Sequence, residues 1–228
     1  MVTGASRGIG AGVVEAYRGA GWGVVANSRS ITPSSGAEVV SVAGDIADPA
    51  TAERIVEKAL EHFGRIDTLV NNAGVFIGKP FSDYTDDDFS SLVSVNLTGF
   101  FRVTQRVVRE MESRGGGHVV NLTTTLVDYA ESAVPSALVA LTKGGLTAVT
   151  RSLAIEYAGR GVRINALSLG VIQTPDFPPG SYDAEAKREP LGRVGQISDV
   201  VQGILFLEAS PYVTGEILHI DGGKTAGH

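Results

Sequence analysis

The sequence contains no cysteine. This excludes a disulfide framework, a cysteine nucleophile and zinc–thiolate sites, and it fits a reducing compartment. It has no basic excess either: 19 Lys and Arg stand against 25 Asp and Glu, a net charge of −6. That balance argues against nucleic acid or an anionic membrane surface as a partner. No apolar run approaches the ~18 residues that a membrane span requires. The opening Met1-Val2-Thr3-Gly4 has no basic stretch leading into an apolar one, so no secretory signal is expected. The absences point to a cytoplasmic protein with no metal, membrane or nucleic-acid partner.

Glycine is what the chain has in excess, 29 of 228 residues against a usual share of about 7%. There is no collagen-like period, so tight turns and close backbone contacts are the expected reason. At 43% apolar and 19% charged, the chain can bury a large core, and its length suggests one domain over 1–228. Short runs rich in Val, Ile and Leu predict strands at Val24–Ala26, Val39–Val42, Thr68–Asn71, Val119–Leu122, Arg163–Leu167 and Ile217–Ile220. Helical spacing predicts helices over Ile9–Ala20, Thr51–Phe63, from Thr85 towards Met111, Ser136–Tyr157 and Ser198–Leu207. The alternation implies an α/β fold with a doubly wound parallel sheet flanked by helices. Two features are unusual. Only Met1 and Val2 precede Thr3, so the first strand looks clipped. Only about Ser30 to Glu38 joins the second and third strands, so the crossover between them is shortened and its helix is missing.

The segment Thr3-Gly4-Ala5-Ser6-Arg7-Gly8-Ile9-Gly10 stands just before the first helix. Missing Cβ atoms there let a backbone approach a pyrophosphate, whose charge meets the helix N-terminus. Other strand ends carry small or polar residues: Asn71-Asn72-Ala73-Gly74, Thr123-Thr124-Thr125, and Asn165 to Gly170 with Thr174 beyond. This is the pattern of the carboxyl edge of a doubly wound sheet, where ligands bind.

With Asn96, Lys143 and Gly215 to Gly223, these motifs resemble those of the short-chain dehydrogenase/reductase family over essentially the whole chain. They are most similar to the group that includes the 3-oxoacyl-acyl-carrier-protein reductases. The resemblance implies a Rossmann-type fold, a nicotinamide dinucleotide, and hydride exchange with a small-molecule carbonyl or alcohol. It places Gly4, Ser6, Arg7, Gly8, Ile9, Gly10, Ser28, Arg29, Asp45, Ile46, Asn72, Ala73, Gly74, Lys143, Gly170, Ile172 and Thr174 at the cofactor. After the second strand the chain reads Asn27-Ser28-Arg29-Ser30, with no acid for a ribose 2′-hydroxyl, and Arg7 adds a second cation. NADP(H) is therefore expected over NAD(H). Asp45 has an equal reading as a turn residue.

In the family a tyrosine supplies the proton, its pKa lowered by a lysine four residues later. Lys143 fits that lysine and Asn96 the water relay; Thr124 fits best the hydroxyl that steadies the carbonyl oxygen, with its neighbours Thr123 and Thr125 as alternatives. Four residues before Lys143 stands Val139, and Ser136 to Lys143 holds no tyrosine. Proton delivery must therefore be altered. Tyr129 from the preceding loop, Lys143 itself or a water are the substitutes considered. The competing reading is a dinucleotide-binding sensor or partner subunit with impaired catalysis. His118 is expected to be structural. Residues 176–195 read as a substrate lid. Apolar positions at Phe100, Phe101, Val103, Val107, Leu146, Val149 and Leu153 suggest a dimer or tetramer, although packing on the sheet explains them equally.

Overall fold

The computed structural model describes residues 1–34, 36–175 and 182–227. Seven strands form one parallel sheet: β1 (Val2–Thr3), β2 (Val24–Ser28), β3 (Val39–Ala43), β4 (Thr68–Asn71), β5 (Gly117–Thr124), β6 (Val162–Leu169) and β7 (Ile217–Ile220). Their order is β3-β2-β1-β4-β5-β6-β7, so the winding reverses between β1 and β4. The helices are α1 (Gly8–Gly19), α2 (Pro49–Phe63), α3 (Asp86–Val93), α4 (Phe100–Ser113), α5 (Ala137–Ala158), α6 (Tyr182–Ala186) and α7 (Ile197–Glu208).

Buried residues form one apolar cluster on each face of the sheet. Ile55, Leu69, Val103, Val107, Met111 and Val119 belong to one, and Val13, Val24, Val120, Val200, Ile204 and Leu207 to the other. Each such side chain contributes roughly 1.5–3 kcal/mol by leaving water. The strands are apolar on both sides because helices cover both faces. The β5 and β6 strands run two or more residues beyond their predicted ends. At their carboxyl ends the added residues include polar Thr123, Thr124 and Ser168, which give no hydrophobic signal.

Local sequence explains the helix ends. Asp48 accepts from Ala50 N at 3.1 Å, Pro49 opens α2, and Gly64 closes it at φ +74°. Thr85 and Asp88 form a reciprocal capping box for α3. The helix expected from Thr85 to Met111 is interrupted by a π-helical turn, Ser94–Gly99, before α4. The crossover from β2 to β3 has no helix among its described residues. Ile31 from it packs on the core, while Ser34 O accepts from Ser41 N at 2.9 Å.

Val103, Val107 and Leu146 are fully inside, so packing on the sheet accounts for them. Other apolar residues of the same helices face outward: Phe101 is 55% exposed and Ile155 80%.

Candidate functional site

The reversal between β1 and β4 opens a crevice at the carboxyl edge of the sheet. Here lies a cavity of about 500 Å³, walled by the Gly4–Gly10 loop, the ends of β2 and β3, and the Asn72–Val75 turn. Three glycines shape it. Gly4 has φ +65°, and a Cβ there would lie 2.8 Å from Asn72 Nδ2. A Cβ on Gly10 would collide with Gly4 O and stand 2.6 Å from Asn72 Nδ2. A Cβ on Gly74 would sit 2.9 Å from Lys143 Nζ. Side chains at these positions would fill the crevice or tear its walls apart.

Asn72 locks the two turns together. Its Nδ2 donates to Thr3 O at 2.8 Å and Gly4 O at 3.0 Å. Thr3 Oγ1 accepts from the backbone N–H of both Asn72 and Ala73 at 3.1 Å. The first turn of α1 leaves backbone N–H groups pointing into the cavity, with the positive end of the helix dipole. These features suit a phosphorylated ligand.

On the β2 side, Ser6 and Ser28 share a hydrogen bond at 2.9 Å, with exposed Arg7 and Arg29 beside them. Asp45 lines the cavity, and its Oδ1 also accepts from Ala47 N at 2.9 Å, so its turn role and its place at the site coexist. Ile46 packs beneath, against the space over Gly99. Asn27 was missed by the sequence reading. Its amide donates to Val42 O and Gly44 O at 2.9 and 3.2 Å, while its buried Oδ1 has no partner among the described residues. The available signal was an amide inside an otherwise apolar strand. Thr174 closes the far wall against Gly8.

Lys143, in the second turn of α5, donates from Nζ to Leu122 O at 2.8 Å. Burial pushes its pKa down to about 8. Asn96 sits in the π-helical turn, whose wider winding is often found at functional positions. Its Oδ1 accepts from Val75 N at 2.8 Å, and its Nδ2 donates to Val75 O and Thr142 Oγ1, both at 3.1 Å. It therefore fixes the turn beside Gly74 and ties it to α5. Thr124 is half-buried at the end of β5 and accepts from Leu126 N at 3.3 Å. Its neighbours turn inward: Thr123 bonds Lys143 O, and Thr125 bonds Leu169 O.

Val139 is 2% exposed and packs with Leu92 and Leu138, close to Val75, Ile77 and Tyr84. Tyr129 lines a separate cavity of about 380 Å³ with Glu131, Glu189, Pro190 and Lys224. Gly170 and Ile172 stand outside the lining of the main cavity. A Cβ on Gly170 would lie 2.9 Å from Asp221 Cα, and Ile172 is buried and pairs with Gly195. Of the expected lid, residues 176–181 lie outside the described residues. The rest begins with α6 and is fastened by Glu189 to Lys224 at 3.0 Å; Lys224 also pairs with Glu131.

His118 lies at the opposite edge. Its Nδ1 donates to Glu208 at 3.2 Å, and its Nε2 accepts from Asn165 at 3.1 Å. Burial pushes its pKa down, and Glu208 opposes that shift. It is buried in a polar network away from the crevice. Among the described residues no helix is long and apolar enough to cross a membrane, and no cluster of His, Asp or Glu could hold a metal.

A family model described as enoyl-(acyl carrier protein) reductase matches residues 4–225. The chain is 34% identical to a 3-oxoacyl-(acyl-carrier-protein) reductase of Thermotoga maritima, covering 98% of this chain and 96% of that protein. It is 31% identical to the enzyme of the same name from Escherichia coli, over 98% and 95%. Among solved structures, ElxO with NADP bound superposes with a TM-score of 0.89 at 27% identity, covering 99% of this chain and 97% of that one. A short-chain type dehydrogenase/reductase from Mycobacterium marinum gives 0.91 at 27% identity, over 99% and 94%. With the reversed winding, the glycine crevice and these likenesses, the chain belongs to the short-chain dehydrogenase/reductase family of oxidoreductases.

Proposed function

We propose that this protein is an NADP(H)-dependent oxidoreductase that interconverts a carbonyl and an alcohol, with proton delivery altered at Val139. One observation carries the reading: the glycine crevice at the sheet reversal ends at Gly74, against the ammonium of Lys143. The crevice fits a dinucleotide because it is a cradle that Cβ atoms would fill. Gly4, Gly8, Ile9 and Gly10 would hold the pyrophosphate. Arg7, Ser28 and Arg29 would hold a ribose 2′-phosphate, with Asp45 and Ile46 at the adenine and Asn72 to Gly74 at the ribose. Thr174, with Gly170 and Ile172 behind it, would meet the nicotinamide carboxamide. When bound, the nicotinamide gives or takes a hydride.

The chain's own residues must then handle a proton. Val139 has none to give. Lys143, its pKa near 8, remains mostly protonated at pH 7 and is easily deprotonated, which suits a proton donor. Thr124 would steady the carbonyl oxygen, and Asn96 would hold the Val75 turn that shapes the site. Residues 176–195 would cover the substrate. The exposed Phe101 and Ile155 support a homodimer or tetramer, and the absence of cysteine supports the cytoplasm.

A second reading, a dinucleotide-binding sensor or partner subunit, is favoured by the apolar packing of Val139. Titration with NADPH and NADH, followed by a carbonyl and alcohol panel, tests both. A 3-oxoacyl thioester, the substrate class named for the relatives, is the first carbonyl to try. Turnover by the wild type supports the enzyme. Tight binding with turnover only in Val139→Tyr supports the sensor. Binding of neither cofactor overturns both readings.

A further inference from the structure

Lys224 is 3% exposed, an unusual place for a lysine. Its Nζ pairs with Glu189 Oε1 at 3.0 Å and with Glu131, and both carboxylates are largely shielded from water. Burial alone would push the pKa of the ammonium down, but the two carboxylates outweigh it and raise it. The lysine therefore stays charged. Without it, two carboxylates would stand together in a site with little water, at a high cost.

The turn that carries the lysine is built to aim it. Asp221 accepts from Gly223 N at 2.9 Å, Thr225 N at 2.9 Å and Thr225 Oγ1 at 2.6 Å. Gly222 and Gly223 take φ values of +65° and +93°, which suit glycine. A Cβ on Gly223 would lie 3.6 Å from Pro190 Cβ, so the turn packs on the residue after Glu189.

The three charged partners come from three segments at the carboxyl edge of the sheet. Glu131 lies in the loop that leaves β5 after Thr124 and leads into α5, which carries Lys143. Glu189 lies between α6 and α7, in a stretch that Gly195 anchors by donating to Val171 O at 2.9 Å and accepting from Gln173 N at 2.8 Å. Lys224 follows β7. The cavity of about 380 Å³ is lined from all three: Tyr129 and Glu131, Glu189 and Pro190, and Lys224. None of these residues lines the glycine crevice, which lies at the reversal between β1 and β4.

We propose that Lys224 is a positioning residue for the substrate: its ammonium clamps Glu131 to Glu189 and so holds the β5–α5 loop and the stretch before α7 as two walls of the substrate space. The proposal rests on the reading of this protein as a dinucleotide-dependent oxidoreductase. A substrate held between these walls loses contacts when they separate, whereas the crevice keeps every wall of its own.

The test is steady-state kinetics at saturating NADPH on the carbonyl turned over best in the panel, beside calorimetric titration with NADPH. It compares wild type, Lys224→Met, Lys224→Arg and the triple variant Lys224→Met, Glu131→Gln, Glu189→Gln. The triple variant leaves no unpaired carboxylate behind, so it folds even where Lys224→Met alone does not. Loss of the clamp should raise KM about 10- to 100-fold in Lys224→Met and in the triple variant, the worth of one or two charge-assisted hydrogen bonds. In both, kcat should stay within about threefold and NADPH affinity within about twofold of wild type, the pattern of lost substrate positioning. Lys224→Arg keeps the charge and should recover most of the loss in KM. An unchanged KM in the triple variant, a KM in Lys224→Arg as high as in Lys224→Met, or NADPH affinity that falls as far as KM rises overturns the clamp and leaves the oxidoreductase reading standing. A wild type that binds NADPH but turns over no carbonyl or alcohol overturns the enzyme reading and the clamp with it.

Discussion

The two ends of the sheet are both rich in polar side chains, and they satisfy them differently. At the amino end, Glu208 accepts from Tyr17 at 2.8 Å, Thr68 at 2.9 Å and His118 at 3.2 Å. Arg163 donates to the carbonyls of Leu207, Glu208 and Val213. Donors and acceptors there are matched, and the network ties α1, α7, β4, β5 and β6 together. At the carboxyl end, among the described residues, Asn27 Oδ1 has no partner and no carboxylate opposes the lowering of the Lys143 pKa by burial. Glycines hold a crevice open beside them. A closed polar network secures a fold, whereas one with unmet capacity is available to a ligand.

The largest expected effect separates activity from stability at the open end. Lys143→Met should lower turnover about 10²- to 10⁴-fold, the usual contribution of a positioned acid. It should also raise the melting temperature at pH 7. The folded pKa of Lys143 is about 8, below its ordinary 10.5. Its contribution to stability is therefore fully present only above about 10.5 and is lost as pH falls through 8. Methionine removes that penalty, worth about 1–3 kcal/mol before the lost bond to Leu122 O is counted. A melting temperature that falls at pH 7 would show that the lysine is closed into its surroundings after all.

Gly10→Val should cost about two orders of magnitude in NADPH affinity, because the atoms its Cβ meets are the Gly4 backbone and the Asn72 amide. Calorimetric titration decides this; binding within tenfold of wild type would mean that the crevice is not shaped by its glycines. The closed end should behave in the opposite sense. Glu208→Gln should lower stability by about 2 kcal/mol in chemical denaturation and leave cofactor affinity unchanged.

The same end should respond to acid. His118 has a pKa held below its ordinary 6.5 by burial, against the pull of Glu208. Its contribution is present above about 6.5 and is lost as pH falls from there towards the lowered folded value. Glu208, whose pKa is raised by burial but lowered further by its three donors, loses its contribution below its ordinary 4.5. Melting curves from pH 7 to 5 should decline less for His118→Asn than for wild type, and parallel curves would refute that. The smallest effect expected is at the rim of the crevice. Arg29→Ala should cut the NADPH-over-NADH preference by about tenfold, and an unchanged ratio would assign the 2′-phosphate to other groups.

Much of the open end was legible because backbone needs leave marks in sequence. Glycine adopts the φ of +65° at Gly4 without strain and allows the close approach at Gly10, so the glycines, read together with the polar strand ends, marked the loop. The shortened crossover, without a helix among its described residues, was legible by counting residues. The π-helical turn around Asn96 was not, since its residues have ordinary helical character and the wider winding serves a tertiary bond to Val75. Asn27 was hidden because an amide in a strand has no directional signal. The destination of Tyr129, beside Lys224, depended on a loop that no local propensity sets.

By itself the sequence determined the alternation of strands and helices, the glycine crevice, and the valine at position 139. These follow from side-chain period, backbone sterics and identity, which are local properties. Only the tertiary structure decided that Val139 is sealed among Leu92 and Leu138, that Lys143 stands half-buried beside Gly74, and that Tyr182 reaches Thr174. Those outcomes join residues distant in the chain, and their energies arise from burial and pairing that exist only after packing.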